Sequence, residues 1–118
     1  MLKVLLVLHL LVELGAGLLF ILAPQTIPAF STLTSIEFNH LASYGYAAVA
    51  MAALGGSTLF YFYREGALSN GLFTLAIFHS CISLAQINTP FIPSMRIEPM
   101  ILHGTFALLF WWYYWQER

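Results

Sequence analysis

Apolar residues fill the chain in four long runs, separated by short polar stretches that contain Pro or Gly. The runs extend from about Leu2 to Ala23, Leu41 to Tyr63, Gly71 to Ile87 and Pro99 to Trp115. Each is close to the length of a bilayer-crossing helix, about 17–25 residues. Pro24, Pro28 and the stretch from Ser31 to Ser35 separate the first run from the second. Arg64, Glu65 and Gly66 with Ser69, Asn70 and Gly71 predict a short turn between the second and third. Asn88, Thr89 and Pro90 close the third run, and Pro93 keeps the next connection irregular. Pro99 suits the first position of a fourth helix, where its missing N–H costs nothing. Glu98 adds negative charge at the positive end of that helix dipole.

The first run follows Lys3, as the core of a signal peptide would. It is longer than the about 7–15 residues of such a core, carries Glu13, and has Pro24 after its small-residue site. It is therefore expected to remain as a span. The pattern predicts an all-α, integral membrane four-helix bundle, up-down-up-down, in a single domain. The two halves share only a two-helix layout, so no inverted-repeat transporter is indicated.

Composition explains why lipid is needed. Of 118 residues, 60% are hydrophobic and 8% are charged, and the mean hydropathy is +0.82. Soluble domains carry about 25% charged residues. A soluble fold of this size would lack a polar surface, which excludes a soluble single domain and a disordered chain. The net charge of −1 with no basic cluster excludes nucleic acid as a partner. Cys81 is the single cysteine, so no internal disulfide forms, and its apolar surroundings predict a buried, inert thiol.

The charges also set orientation. With both termini cytoplasmic, Lys3, Arg64 and Arg118 lie inside, whereas Glu37, Arg96 and Glu98 lie outside. Tyr61, Phe62 and Tyr63 then fall on the same side as the run from Trp111 to Trp115. These rings read as an interfacial aromatic belt in an inner or plasma membrane, with stacking on a ligand as the alternative.

Small residues mark helix contacts in lipid, because lipid offers no hydrophobic drive for association. Ala48, Ala52 and Gly56 form one row in the second span, and Ala47, Met51 and Gly55 a neighbouring one. Such a row serves contacts within the chain or in a homo-oligomer equally. In the first span Ala16 and Gly17 adjoin the face of Glu13, which is expected to look inward.

Ionisable residues inside spans are costly and tend to face the bundle interior or a cavity. Here they are His9, Glu13, His79 and His103, with His40 at the outer entry of the second span. At 1.5 Å per residue, Glu13 lies about 15 Å in from Lys3, near the midplane, and His79 lies about 16–18 Å in. His103 lies about 7–8 Å below the outer surface, which places it about 5–6 Å outward of His79. His9 shares a face with Glu13 at spacing four. Ala76, His79, Ser83 and Gln86 form a stripe on the third span. With His103 and His40 this stripe outlines a polar track that opens outward.

Several readings of the track compete. It can be structural, with Glu13 held by His79 or His9 to fix helix register. It can be a binding cavity for a lipid, a quinone or another hydrophobic small molecule. Glu13 and His79 would then anchor the ligand, and Ser83, Gln86, His103 and His40 would line the way out. A redox or proton-handling component with haem or metal is a further reading, with His79 and His103 as the best pair. No CxxC, HExxH or Cys-x-x-Cys-His motif supports a metal site. Enzyme chemistry has less support still. Ser80 and Ser83 near His79 resemble a nucleophile and base, and proton transfer between Glu13 and His79 would suit a membrane isomerase.

Gly17-Leu18-Leu19-Phe20-Ile21-Leu22-Ala23-Pro24 closes the first run, and His103-Gly104-Thr105-Phe106-Ala107-Leu108 lies in the fourth. In these strings and in layout the chain resembles the small four-helix membrane proteins of the DoxX-like group. The resemblance covers all four spans and implies the fold. That group includes proteins with redox-linked roles and carries over no functional residue. A basic residue frequent early in its first helix is represented here by Lys3. The sequence thus predicts a membrane protein that binds a hydrophobic small molecule or a partner subunit through an interior polar site.

Overall fold

The second helix owes its start to a local signal that the hydropathy pattern does not show. The Thr34 backbone N–H and hydroxyl both donate to a Glu37 carboxylate oxygen at 2.7 Å, and the Glu37 N–H donates back to the Thr34 hydroxyl at 3.3 Å. This reciprocal capping box satisfies amides that the first helical turn leaves open. The helix therefore begins at Ser35, six residues before the apolar run at Leu41.

The computed structural model describes residues 1–64, 68–88 and 97–118. Four α-helices follow in order: α1 (Leu2–Leu22), α2 (Ser35–Arg64), α3 (Ser69–Asn88) and α4 (Ile97–Gln116). No strand occurs among the described residues. Between α1 and α2 the chain makes two 3₁₀ turns, Pro24–Thr26 and Pro28–Phe30, each with proline in first position. There the fixed proline φ is preorganised and no N–H is lost. The expected turn residues Glu65 and Gly66, and Thr89, Pro90, Pro93 and Arg96 of the last connection, lie outside the described residues.

Helix α1 matches its apolar run, and α3 exceeds its run by a residue or two at each end. Helix α4 begins at Ile97, so Pro99 is its third residue and not its first. Proline is tolerated there because the first four helical N–H groups have no partner within the helix.

Among the described residues, three helices are long and apolar enough to cross a membrane: α1, the Ser35–Phe62 part of α2, and α3. The fourth expected span is not among them. Glu98, His103 and the run from Trp111 to Trp115 make α4 less apolar, since indole and phenol rings carry a polar atom each.

The chain divides into two compact units, Met1–Leu59 and Phe60–Arg118. In the first, α1 and α2 run antiparallel: His9 meets Gly55, and Gly17 meets Gly45. Helix α1 buries Leu2, Leu5, Leu6, His9, Glu13 and Gly17. The buried seam of α2 is Leu41, Gly45, Ala48, Ala52, Gly55 and Thr58. This corrects the expected rows. Ala48 and Ala52 are buried, but Gly56 is only half-buried and Ala47 is exposed. A row at constant spacing four turns by about 40° per step, whereas alternating steps of three and four keep one face.

The tightest point of this unit is backbone against backbone. A Cβ on Gly17 would lie 2.8 Å from the Gly45 carbonyl oxygen, and one on Gly45 would lie 2.9 Å from that of Gly17. Only glycine permits this approach, which is the contact that small residues serve between apolar helices.

In the second unit α3 and α4 pack antiparallel, with Phe73 beside Trp111 and Tyr114 at one end and Ser83 beside Met100 at the other. Leu72, Leu75, Ala76, His79 and Gln86 of α3 are buried, as are His103, Phe106, Ala107 and Phe110 of α4. Cys81 is exposed, not buried. Two positions beyond His79 is about 200° around the helix, which places the thiol opposite the packed face.

Candidate functional site

Four ionisable residues within the helices, His9, Glu13, His79 and His103, are buried while many of the leucines are not. His9 and His79 are 0% exposed, Glu13 3% and His103 4%. Val4 is 72% exposed and Leu108 75%. In water this distribution would cost twice, once for the buried polar groups and once for the bare apolar ones.

The second unit brings together two of the expected site residues. His79 of α3 and His103 of α4 face each other with their Nδ1 atoms 2.7 Å apart. Their rings stack at 5.0 Å between centroids, 29° from parallel. Aromatic rings surround them. Phe106 lies 5.1 Å and Phe110 5.7 Å from the His79 ring, and Phe78 meets it edge-on at 5.2 Å. The expected depth difference between the two histidines is therefore corrected. Helix α3 ends nine residues beyond His79, but α4 begins only six before His103. The two ends are not level, and this stagger brings the imidazoles together.

Two imidazole nitrogens this close share a proton. One Nδ1 must donate and the other must accept, so the rings hold opposite tautomers. Two nitrogens bound on opposite sides of a metal stand about 4 Å apart, twice a bond of about 2 Å. The observed spacing is that of a hydrogen bond and frames no ion between the rings.

Ser83 donates from Oγ to the Met100 carbonyl oxygen at 3.1 Å, and a Cβ on Gly104 would approach that Oγ to 3.2 Å. Ser80 donates to the Ala76 carbonyl at 2.8 Å and accepts from the Trp111 indole N–H at 3.1 Å. Both hydroxyls are thus committed to joining or bracing helices, and neither is aimed at a histidine. Gln86 is buried further along the same α3 stripe.

In the first unit Glu13 and His9 lie one turn apart on the buried face of α1. A carboxylate oxygen and a ring nitrogen of the pair come within 4.8 Å of each other. His9 fits over Gly55, whose Cβ would sit 2.6 Å from the His9 Nδ1. The sequence reading did not foresee this slot, although Gly55 at a buried seam position was its signal. His40 is exposed in the second turn of α2.

Sequence reasoning also missed a cavity of about 510 Å³ in the second unit, lined by Ser69, Asn70, Phe73, Tyr114, Glu117 and Arg118. These residues come from the start of α3 and the end of α4, 45 or so positions apart in the chain, and only the antiparallel packing joins them.

Compared with family models, with curated proteins and with solved structures, the chain matches none.

Proposed function

We propose that the chain is an integral membrane protein that takes up and releases a proton at the buried His79–His103 pair. The observation that carries this reading is the 2.7 Å contact between the two Nδ1 atoms. A neutral pair has one proton between the two nitrogens. A second proton at this contact would set two N–H groups against each other, so the pair gains charge by protonation elsewhere on one ring. The resulting imidazolium–imidazole bond is charge-assisted and about twice as strong as the neutral one. Phe110, stacked on His79, and Phe106, tilted against it, present π faces that favour a cation.

The membrane reading is supported by exposed leucines, by buried polar residues and by three helices of sufficient length and apolarity. Helix α4 lies antiparallel along α3, so a bilayer crossed by α3 is crossed by α4 too. Four crossings with both termini cytoplasmic then follow from the basic residues Lys3, Arg64 and Arg118. The DoxX-like layout belongs to this same proposal. Proton exchange in such a protein would serve a hydrophobic molecule such as a quinone, or a partner subunit.

Nitrogen-15 magnetic resonance of histidine-labelled chain in bilayers tests the reading. The His79 and His103 signals are expected to move together as the pH is lowered, with a gain of one proton per pair. Independent titration of the two rings, or no titration of either, would contradict the proposal. A second reading, binding of a small amphipathic ligand, is favoured by the cavity between the ends of α3 and α4.

A further inference from the structure

The cavity at the α3–α4 end has a chemical asymmetry. Among its lining residues Arg118 is the cation and Glu117 the anion; Ser69 and Asn70 add neutral polar groups, and Phe73 and Tyr114 form an aromatic floor. The two rings are 5.5 Å apart and tilted by 48°. The Arg118 guanidinium lies 5.2 Å from the Tyr114 ring centre and 5.5 Å from that of Trp115. Cation–π contact holds it in place, so less freedom is lost when it binds.

We propose that this cavity binds a phosphoethanolamine-type group, a phosphate ester with a primary ammonium two carbons away. The proposal rests on the membrane reading above, which puts this end of α3 and α4 at the headgroup level. Arg118 offers a planar fork that matches two phosphate oxygens. The Ser69 hydroxyl and Asn70 amide supply further donors. Glu117 accepts from the ammonium, and the faces of Phe73 and Tyr114 favour a cation beside them. A simple anion would be repelled by Glu117 and a simple cation by Arg118, so a zwitterion is selected. A trimethylated ammonium has no N–H to give Glu117, which disfavours choline. The volume lies within the about 300–1,000 Å³ of small-molecule sites. Exposed Trp115, in contact with Tyr114 and Arg118 of the lining, suits the acyl chains of a lipid.

The same chemistry is offered by a phosphatidylethanolamine headgroup and by soluble glycerophosphoethanolamine. Native mass spectrometry of the chain from nanodiscs containing phosphatidylethanolamine, phosphatidylcholine and phosphatidylglycerol separates the alternatives. Wild type is expected to retain the ethanolamine lipid about tenfold over the other two, a difference of about 1.4 kcal/mol. Arg118→Gln is expected to lose retention of all three. Glu117→Gln is expected to exchange the ethanolamine preference for the anionic glycerol lipid. Both residues are exposed, so the variants fold, and circular dichroism confirms it. Displacement by soluble glycerophosphoethanolamine identifies the headgroup alone as the ligand; no displacement, with the Glu117→Gln switch intact, identifies the whole lipid. Equal retention of the three lipids by wild type, or no change in either variant, overturns the proposal. A chain that does not enter nanodiscs overturns the membrane reading instead. Calorimetry with the soluble ester then decides the cavity on its own, and absence of heat with wild type refutes it.

Discussion

His79 and His103 stand on different helices, 24 positions apart, yet their Nδ1 atoms meet at 2.7 Å with both side chains buried. The bond ties α3 to α4 near the middle of their contact. It also couples the tautomers of the two rings, since a proton on one Nδ1 requires a lone pair on the other.

Replacing one member of this pair should cost more than replacing both. His79→Phe or His103→Phe removes a bond worth about 0.6–2 kcal/mol between membrane helices. Each also leaves a buried imidazole without this contact, at about 1–3 kcal/mol. The double variant removes both polar groups and fills the space with rings like those already there. A double-mutant cycle on unfolding in detergent should give a coupling of about 1 kcal/mol or more. Simple additivity would show that the contact contributes nothing.

The Gly17–Gly45 crossing should tolerate no added methyl. Gly17→Ala sets a Cβ 2.8 Å from both the Gly45 carbonyl oxygen and Val49 Cγ2, and Gly45→Ala meets the Gly17 carbonyl. Overpacking of this kind costs about 1–3 kcal/mol. Gly15 has open space around its Cβ position, so Gly15→Ala should stabilise by up to about 1 kcal/mol through helix propensity. Thermal denaturation of the three variants in one detergent compares them directly, and equal effects at positions 15 and 17 would exclude a close crossing.

Gly55 is reserved for His9. Gly55→Ala would set a methyl 2.6 Å from the His9 Nδ1, and a loss of about 1–3 kcal/mol is expected. In His9→Ala the imidazole volume is vacant, so Gly55→Ala added to that background should cost little or even stabilise. Unfolding free energies of the two singles and the double test this. A Gly55→Ala cost that is unchanged by His9→Ala would mean that the clash lies elsewhere.

Cys81 reports on what surrounds the second unit. The thiol is exposed on the side of α3 away from α4. In water such a thiol reacts with a charged maleimide at once. In a bilayer the same face meets hydrocarbon near the middle of the span, where neither the reagent nor a thiolate is stable. Labelling in intact membranes should therefore be slow, and complete after unfolding in dodecyl sulfate. Fast labelling in membranes would contradict the four-crossing topology.

Much of this was legible along the chain, for reasons that differ between residues. Helix α1 is continuous and apolar, and its bounds follow from Pro24 and the lack of any earlier breaker. The inward stripe of Ala76, His79, Ser83 and Gln86 obeys helical periodicity, and His79 and Gln86 are indeed buried while Ser83 is half-buried. The start of α2 at Ser35 is not legible in the apolar pattern, because the capping box of Thr34 and Glu37 that sets it is polar. The exposure of Cys81 is not legible either, because an apolar neighbourhood in sequence says nothing about which side of a helix faces a partner.

Periodicity and composition are local properties, and they determined the local outcome: four helices, many exposed apolar residues, and the buried faces that carry Glu13 on α1 and His79 on α3. The alignment of one helix against another is not local. It depends on where Gly17 lets α1 approach α2, and on the stagger between the end of α3 and the start of α4. A shift of α4 by one turn, about 5.4 Å, would part His79 from His103 without changing either helix. The tertiary structure alone decided that these two imidazoles meet, because packing across helices, not the order of residues within one, sets which side chains share a level.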